Sequence, residues 1–305
     1  MGTPEAAVPT LKRCLEDGHE VVAVWTQPDR PAGRGNRVAA PPVKEFALKH
    51  GLAVHQPAKI RNEEALRLFA SHEADVGVVV AYGRILPSTF LQTPQKGCVN
   101  VHFSLLPQYR GAAPVNWAIV RGESVSGVTT MQIVEELDAG AILLQRKTEI
   151  GERETAPELM SRLSLMGAEA LSETLTRLTE IEPQAQDEEK ATFAPVLRKE
   201  DGRIVWALDA AQIERRVRGF QPWPGAYTEY NSHRLVVWQA SVVDDGEAQA
   251  AGAGQLVRAQ GDELVVSCGD ETLLSLQEVQ PEGKRRMKVR DFLNGARVKV
   301  GERLG

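Results

Sequence analysis

Residues 74–81 read ADVGVVVA, a run that is apolar apart from Asp75 and about as long as one strand. A strand that is apolar at successive positions is covered on both faces, the condition of a parallel sheet flanked by helices. The same texture recurs to either side. Residues 20–26 (EVVAVWT), 98–102 (CVNVH) and 142–150 are further strand candidates. Residues 44–50, 63–70 and 114–121 carry helical spacing between them. Strand alternating with helix predicts an α/β domain built on a Rossmann-like, mainly parallel sheet.

Thr155 opens a long helix, with Glu158 three residues on as the partner in a capping box. Leu159, Leu163, Met166, Ala170 and Leu178 follow at helical spacing, a stripe that belongs to a core. The pattern fades at Glu182-Pro183, and the polar, proline-interrupted residues 183–203 read as a linker. Beyond it a short helix (210–218) and the turn-rich GFQPWPGAY precede strand candidates at 234–243, 264–268 and 272–279. Short strands between Gly and Asp turns predict a small OB-like β-barrel. Residues 244–254 read as a loop. The expected organisation is a catalytic domain over 1–182, a linker over 183–203 and a barrel over 204–305.

Composition excludes several classes. Of 305 residues 42% are hydrophobic and 25% charged, a globular balance sufficient for two domains. The net charge of −5 excludes a globally basic nucleic-acid binder, so any such surface must be a local patch. Cys14, Cys98 and Cys268 are odd in number and far apart, which argues for reduced, buried thiols rather than a disulfide framework or a thiolate metal site. No run approaches the ~20 apolar residues of a membrane helix. The start lacks a signal-peptide pattern, and Ala6 stands where a myristoylation motif needs Ser or Thr. A cytoplasmic monomer that needs neither membrane nor metal is expected.

The chemistry concentrates between positions 100 and 140. Asn100 and His102, two apart at the end of a strand, point to one face. They lie at the carboxyl edge, where open α/β sheets bind ligands. Asp138 follows in the turn LDAG. Attack of an amine on an acyl carbon makes a tetrahedral oxyanion that needs aimed donors. Asn100 and a protonated His102 supply them, and a carboxylate orients the imidazole and helps to move the amine proton. The loop after His102 offers backbone polar groups beside an apolar wall, which suits a flat heterocycle.

The stretches VNVHFSLLPQYRGAAPVNWAI and GVTTMQIVEELDAGAILLQ resemble the signature block of the folate-dependent formyltransferases. The resemblance implies that Asn100, His102 and Asp138 are catalytic and that 10-formyltetrahydrofolate is the formyl donor. It also implies that Ser104, Leu105, Leu106 and Pro107 form the folate-binding loop, with Arg84, Ile85 and Leu86 lining the pterin pocket. Two positions depart from the pattern. Phe103 replaces a small residue, and Gln108 stands where a basic one is usual. Phe103 is expected to point away from the site.

Three features resemble the members that formylate the methionine on initiator tRNA. The first is the opening GTPEAAVPTL. The second is PDRPAGRG in a segment, 28–44, where Arg30, Arg34, Arg37 and Lys44 against Asp29 give +4 − 1 = +3. The third is the extra C-terminal domain, where residues 283–303 carry eight Lys/Arg and two acids, a net of +6 that includes Lys284, Arg285, Arg286 and Lys288. Such patches are where phosphates lie. Trp206, Trp223 and Tyr227 are of a type that stacks on bases, although QPWPGAY reads better as a packed turn. A formyltransferase for a sugar amine or a purine precursor is the alternative, and it needs neither basic segment. A dinucleotide loop at Gly33-Arg34-Gly35 fails because Val38 stands at the third glycine. Family members begin with a short apolar strand before the G-T-P loop. This chain begins within that loop, so the start codon is expected to lie upstream.

Overall fold

The computed structural model describes residues 1–32, 37–243 and 251–305. These divide into two compact units. Unit 1 comprises 1–114, 125–149 and 160–194, and unit 2 comprises 115–124, 150–159 and 195–305.

Unit 1 begins with α1 (Val8–Glu16), β1 (Val24–Trp25), a short hairpin of β2 (Arg30–Ala32) and β3 (Arg37–Ala39), α2 (Pro42–Lys49) and β4 (Val54–His55). Next come α3 (Glu63–Ala70), β5 (Gly77–Val79), α4 (Ser88–Leu91) and β6 (Cys98–His102). β7 (Arg110–Gly111) precedes α5 (Pro114–Arg121), which belongs to unit 2 from Val115 on; β8 (Val125–Gln132), β9 (Ile142–Glu149) and the long α6 (Ala156–Thr176) from Met160 on belong to unit 1. β10 (Phe193–Ala194) closes the unit by pairing in parallel with β7.

β1 pairs in parallel with β4, and β5 with β6. Gly2 bridges Val80 in parallel and donates its N–H to the Trp25 carbonyl at 2.9 Å, so Met1 and Gly2 sit between β1 and β5. On the other side β8 and β9 add antiparallel strands. The sheet is therefore mostly parallel at its centre with an antiparallel flank. The strand expected over 20–26 is shorter. Residues 20–23 border a cavity of about 370 Å³, also lined by Val76 and Val78, instead of a hydrogen-bonded neighbour.

Of the run at 74–81 only Gly77–Val79 is strand; Gly77, Val79 and Val80 are buried, whereas Val76 and Val78 are half-buried beside that cavity. Val79 is buried with Trp25, Phe69, Tyr82, Leu86, Phe90 and Cys98 on one side of the sheet. Burial pushes the thiols of Cys14 and Cys98 up to about 11, so both are inert packing groups. α3 shows how local sequence sets an element. Asn62 is extended, and its side chain accepts from the Ala65 N–H at 2.8 Å, capping the helix. Asn62→Ala should cost about 1 kcal/mol of stability. A thermal melt that fails to shift would show that the cap is not needed.

The segment expected as a linker is instead part of unit 1 up to Ala194. Gln184 exchanges two backbone hydrogen bonds with Ile142, and Thr192 and Ala194 accept from the backbone N–H groups of Arg110 and Ala112.

Unit 2 holds α7 (Ala210–Gly219) and an antiparallel sheet of β11 (Ala226–Tyr230), β12 (His233–Val243), β13 (Leu256–Gln260), β14 (Glu263–Ser267) and β15 (Leu273–Pro281). The sheet order is β11-β12-β15-β14-β13, with β16 (Met287–Lys288) on β15. α8 (Val289–Ala296) follows and buries Val289 and Phe292. The core joins Trp206, Ile213, Val217, Leu235, Leu256, Leu264, Leu274 and Phe292. β11 and β13 do not pair with each other. Between them runs the chain end, where Leu256 N–H donates to the Glu302 carbonyl at 2.8 Å and Gly305 N–H to the Glu229 carbonyl at 2.9 Å. The pairing among strands alone is an open antiparallel sheet, not the closed barrel expected.

Candidate active site

β6 aligns in register with β5 on one side and β8 on the other, so its chain end is fixed. Val99 and Val101 are buried, and Val101 and Phe103 both close on Gly167 of α6. Asn100 and His102 therefore take the opposite face, and Phe103 points away from them as its spacing requires. The Asn100 carboxamide has no hydrogen-bond partner among the described residues, which leaves it available to a ligand.

His102 is buried, with Nε2 2.9 Å from the Tyr109 carbonyl oxygen and Nδ1 3.7 Å from Asp138 Oδ2. A carbonyl oxygen can only accept, so Nε2 donates to Tyr109. Nε2 is spent on Tyr109. Nδ1 is beyond hydrogen-bond length from the carboxylate, so a reacting group can approach that edge of the ring beside Asp138.

Asp138 stands at φ 50°, in the left-handed region, and Oδ2 accepts from the Gly111 N–H at 2.8 Å. Close approach demands glycine on both sides of this contact. A Cβ at Gly111, whose φ is 122°, would overlap the Ala194 carbonyl oxygen. A Cβ at Gly140 would overlap the Gln132 carbonyl oxygen.

The expected folate residues fall into two groups. Ile85, exposed, and Leu86, buried, line a pocket of about 730 Å³ with Ile60, Leu66, Phe90 and Glu135. Arg84 is absent from its wall. Its Nε donates to Gln27 Oε1 at 3.1 Å and its Nη1 to the Ala58 carbonyl at 2.9 Å. Ser104, Leu105, Leu106 and Pro107 do not line that pocket either. Ser104 Oγ donates to the Gln108 carbonyl at 2.6 Å. Thr129 Oγ1 accepts from Leu106 N–H and donates to the Ser104 carbonyl, while Gln145 Nε2 donates to the Leu106 carbonyl. The loop is thereby rigid, its polar groups largely spent on itself and on β8 and β9.

The basic residues are also resolved unevenly. Arg34 lies outside the described residues. Arg37 opens β3. Arg30 donates to Gln27 Oε1 at 3.3 Å. Lys284, Arg285, Arg286 and Lys288 are exposed, but Arg286 is paired with Glu278 and its guanidinium lies 5.2 Å over the Trp238 ring. Trp206 is core, its Nε1 donating to Thr228, and Tyr227 is covered by Arg234 at 3.8 Å. Trp223 is 54% exposed. Among the described residues no three His, Cys, Asp or Glu side chains cluster as a metal site would require, and no helix is long and apolar enough to cross a membrane.

Four residues escape a sequence reading: Arg110, Gln186, Glu188 and Thr192. The Arg110 side chain is 5% exposed and ion-pairs with Glu188 at 2.7 Å. Thr192 Oγ1 accepts from the Tyr109 N–H at 2.9 Å. The only local cue is a lone arginine inside an otherwise small and apolar stretch, RGAAPV.

The formyl transferase family matches residues 1–175, and the formyl transferase C-terminal domain matches residues 196–297. A methionyl-tRNA formyltransferase of Solibacter usitatus (strain Ellin6076) is 48% identical over 100% of this chain and 97% of its own length. One from Bacillus subtilis (strain 168) is 42% identical over 100% of this chain and 96% of its own. An N-formyltransferase from Helicobacter canadensis, solved with folinic acid and dTDP-3-aminofucose, shares the fold at a TM-score of 0.66. It is 17% identical and covers 90% of this chain and 97% of its own. The chain belongs to the formyl transferase family, with methionyl-tRNA formyltransferases as full-length relatives.

Proposed function

We propose that the protein transfers the formyl group of 10-formyltetrahydrofolate to the α-amino group of initiator methionyl-tRNA. The observation that carries this reading is identity of 42% or more, along the whole chain, to methionyl-tRNA formyltransferases. The neutral amine attacks the formyl carbon, the bond from that carbon to folate nitrogen breaks, and the amine proton ends on the leaving tetrahydrofolate. Asn100 and the Nδ1 edge of His102 meet the oxyanion, and Asp138 supports His102 and passes the proton. The donor's ring system is taken against Ile85 and Leu86, and the Ser104–Pro107 loop and Arg84, which lie outside that pocket's wall, are read as holding other parts of the folate. The C-terminal unit is read as an OB-like barrel closed by the chain end, and as the second hold on tRNA. We place the activity in the cytoplasm, in a monomer. The test supplies labelled formyl-folate with Met-tRNA and amino-sugar acceptors side by side. Label transferred to the sugar and not to tRNA would overturn the reading in favour of the alternative. The sugar-acting relative shares only the fold, and no basic segment is needed for that acceptor.

On this reading Arg30, Arg34 and Arg37 grip the acceptor end, and Lys284, Arg285, Arg286 and Lys288 hold phosphates. Arg285→Ala should reduce the slope of log affinity for tRNA against log salt by about one unit. Arg286→Ala should reduce it less, because Glu278 already neutralises that charge. Filter binding across a salt series checks both. Equal slopes in the two variants and the unaltered protein would remove the C-terminal run from the interface.

A further inference from the structure

We propose that Gln186 is a positioning residue for the His102–Asp138 pair. The inference rests on the reading of those two side chains as catalytic. Gln186 Nε2 donates to the Asp138 carbonyl and to the Gly140 carbonyl, each at 2.8 Å. Gln186 Oε1 accepts from Arg110 Nε at 3.0 Å and Arg110 Nη2 at 2.8 Å. One carboxamide thus ties the turn that carries Asp138 to the loop that carries Arg110.

That loop touches both members of the pair. Tyr109, immediately before Arg110, accepts from His102 through its carbonyl, and Gly111, immediately after it, donates to Asp138 Oδ2. Asp138 holds a left-handed backbone, a conformation that aspartate tolerates better than most residues but less well than glycine. Its carbonyl and that of Gly140 are the groups Gln186 takes up. Without the two donors, the turn loses the contacts that fix Asp138 against Gly111. The 3.7 Å approach to His102 Nδ1 is then free to widen. Gln186 itself is too far along the chain for any local effect, 48 residues from Asp138 and 76 from Arg110. Its amide is fully used in this bridge, with both hydrogens given and the oxygen taken twice.

The test compares the unaltered full chain with Gln186→Met, which keeps length without polarity, and Gln186→Glu, which keeps an oxygen for Arg110 but loses both donors. Misplacement of a reacting group by a fraction of an ångström to 1 Å costs roughly 10- to 100-fold in rate. Both variants should lose that much in kcat for Met-tRNA formylation, with KM for the formyl donor within about twofold. Exchange of the Gly111 amide hydrogen, which reports its bond to Asp138, should accelerate in both, while the amides of α6 keep their protection. Unchanged kcat or unchanged Gly111 exchange in Gln186→Met overturns the proposal, as does Gln186→Glu behaving like the unaltered protein. Loss of protection throughout unit 1, with a collapsed melting temperature, assigns Gln186 a general structural role and also overturns it. If the unaltered protein fails to formylate Met-tRNA, the functional reading fails, and the Gly111 exchange still decides whether Gln186 positions Asp138.

Discussion

Asp138→Asn is expected to lower kcat for formyl transfer by roughly 10²- to 10⁴-fold, the range for removal of a positioned acid–base group. The substitution is nearly isosteric. An amide oxygen can still accept from the Gly111 N–H, so the turn should keep its place. What is lost is the negative charge 3.7 Å from His102 Nδ1. With that charge goes the group that orients the ring and passes the amine proton. The loss should fall on kcat, with folate affinity measured by equilibrium binding close to that of the unaltered protein. An Asp138→Asn variant with full turnover would remove the carboxylate from the mechanism.

Asn100→Ala should slow catalysis by roughly 10²- to 10³-fold, as removal of a single oxyanion donor does. Its carboxamide has no hydrogen-bond partner among the described residues, so the change breaks no hydrogen bond seen there. The half-buried position on a strand paired on both sides tolerates a smaller side chain. A donor that acts on developing charge contributes little to the ground state, so binding of the formyl donor should change within about twofold. Steady-state kinetics and a separate binding measurement distinguish the cases. Parallel losses of affinity and turnover would make Asn100 a binding residue.

The residues that the sequence exposes are those whose placement is local. β6 is short and flanked by valines, so the two-residue period alone puts Asn100 and His102 on one face. Asp138 is legible from its turn, and the apolar run at 74–81 announces a strand, although only Gly77, Val79 and Val80 in it are buried. The 183–194 segment was opaque because its order comes from partners far away. Gln186 meets Asp138 across 48 residues, Arg110 meets Glu188 across 78 and Tyr109 meets Thr192 across 83. A polar, proline-bounded stretch has no periodicity to report such pairings. The same applies to β13 and to the chain end at 301–305, whose roles depend on each other. Arg286 illustrates the limit for charge. A basic run predicts a phosphate site, but it does not reveal that Glu278 and Trp238 hold one of its members.

Gly111 and Gly140 flank the Asp138 contact with no room for a side chain. Every non-synonymous change from a glycine codon that leaves a residue adds a Cβ. These two positions therefore have no neighbouring sequence through which the chain can drift. Variation in this part of the protein is channelled away from the two glycines, and any lineage or library that keeps the turn must keep both.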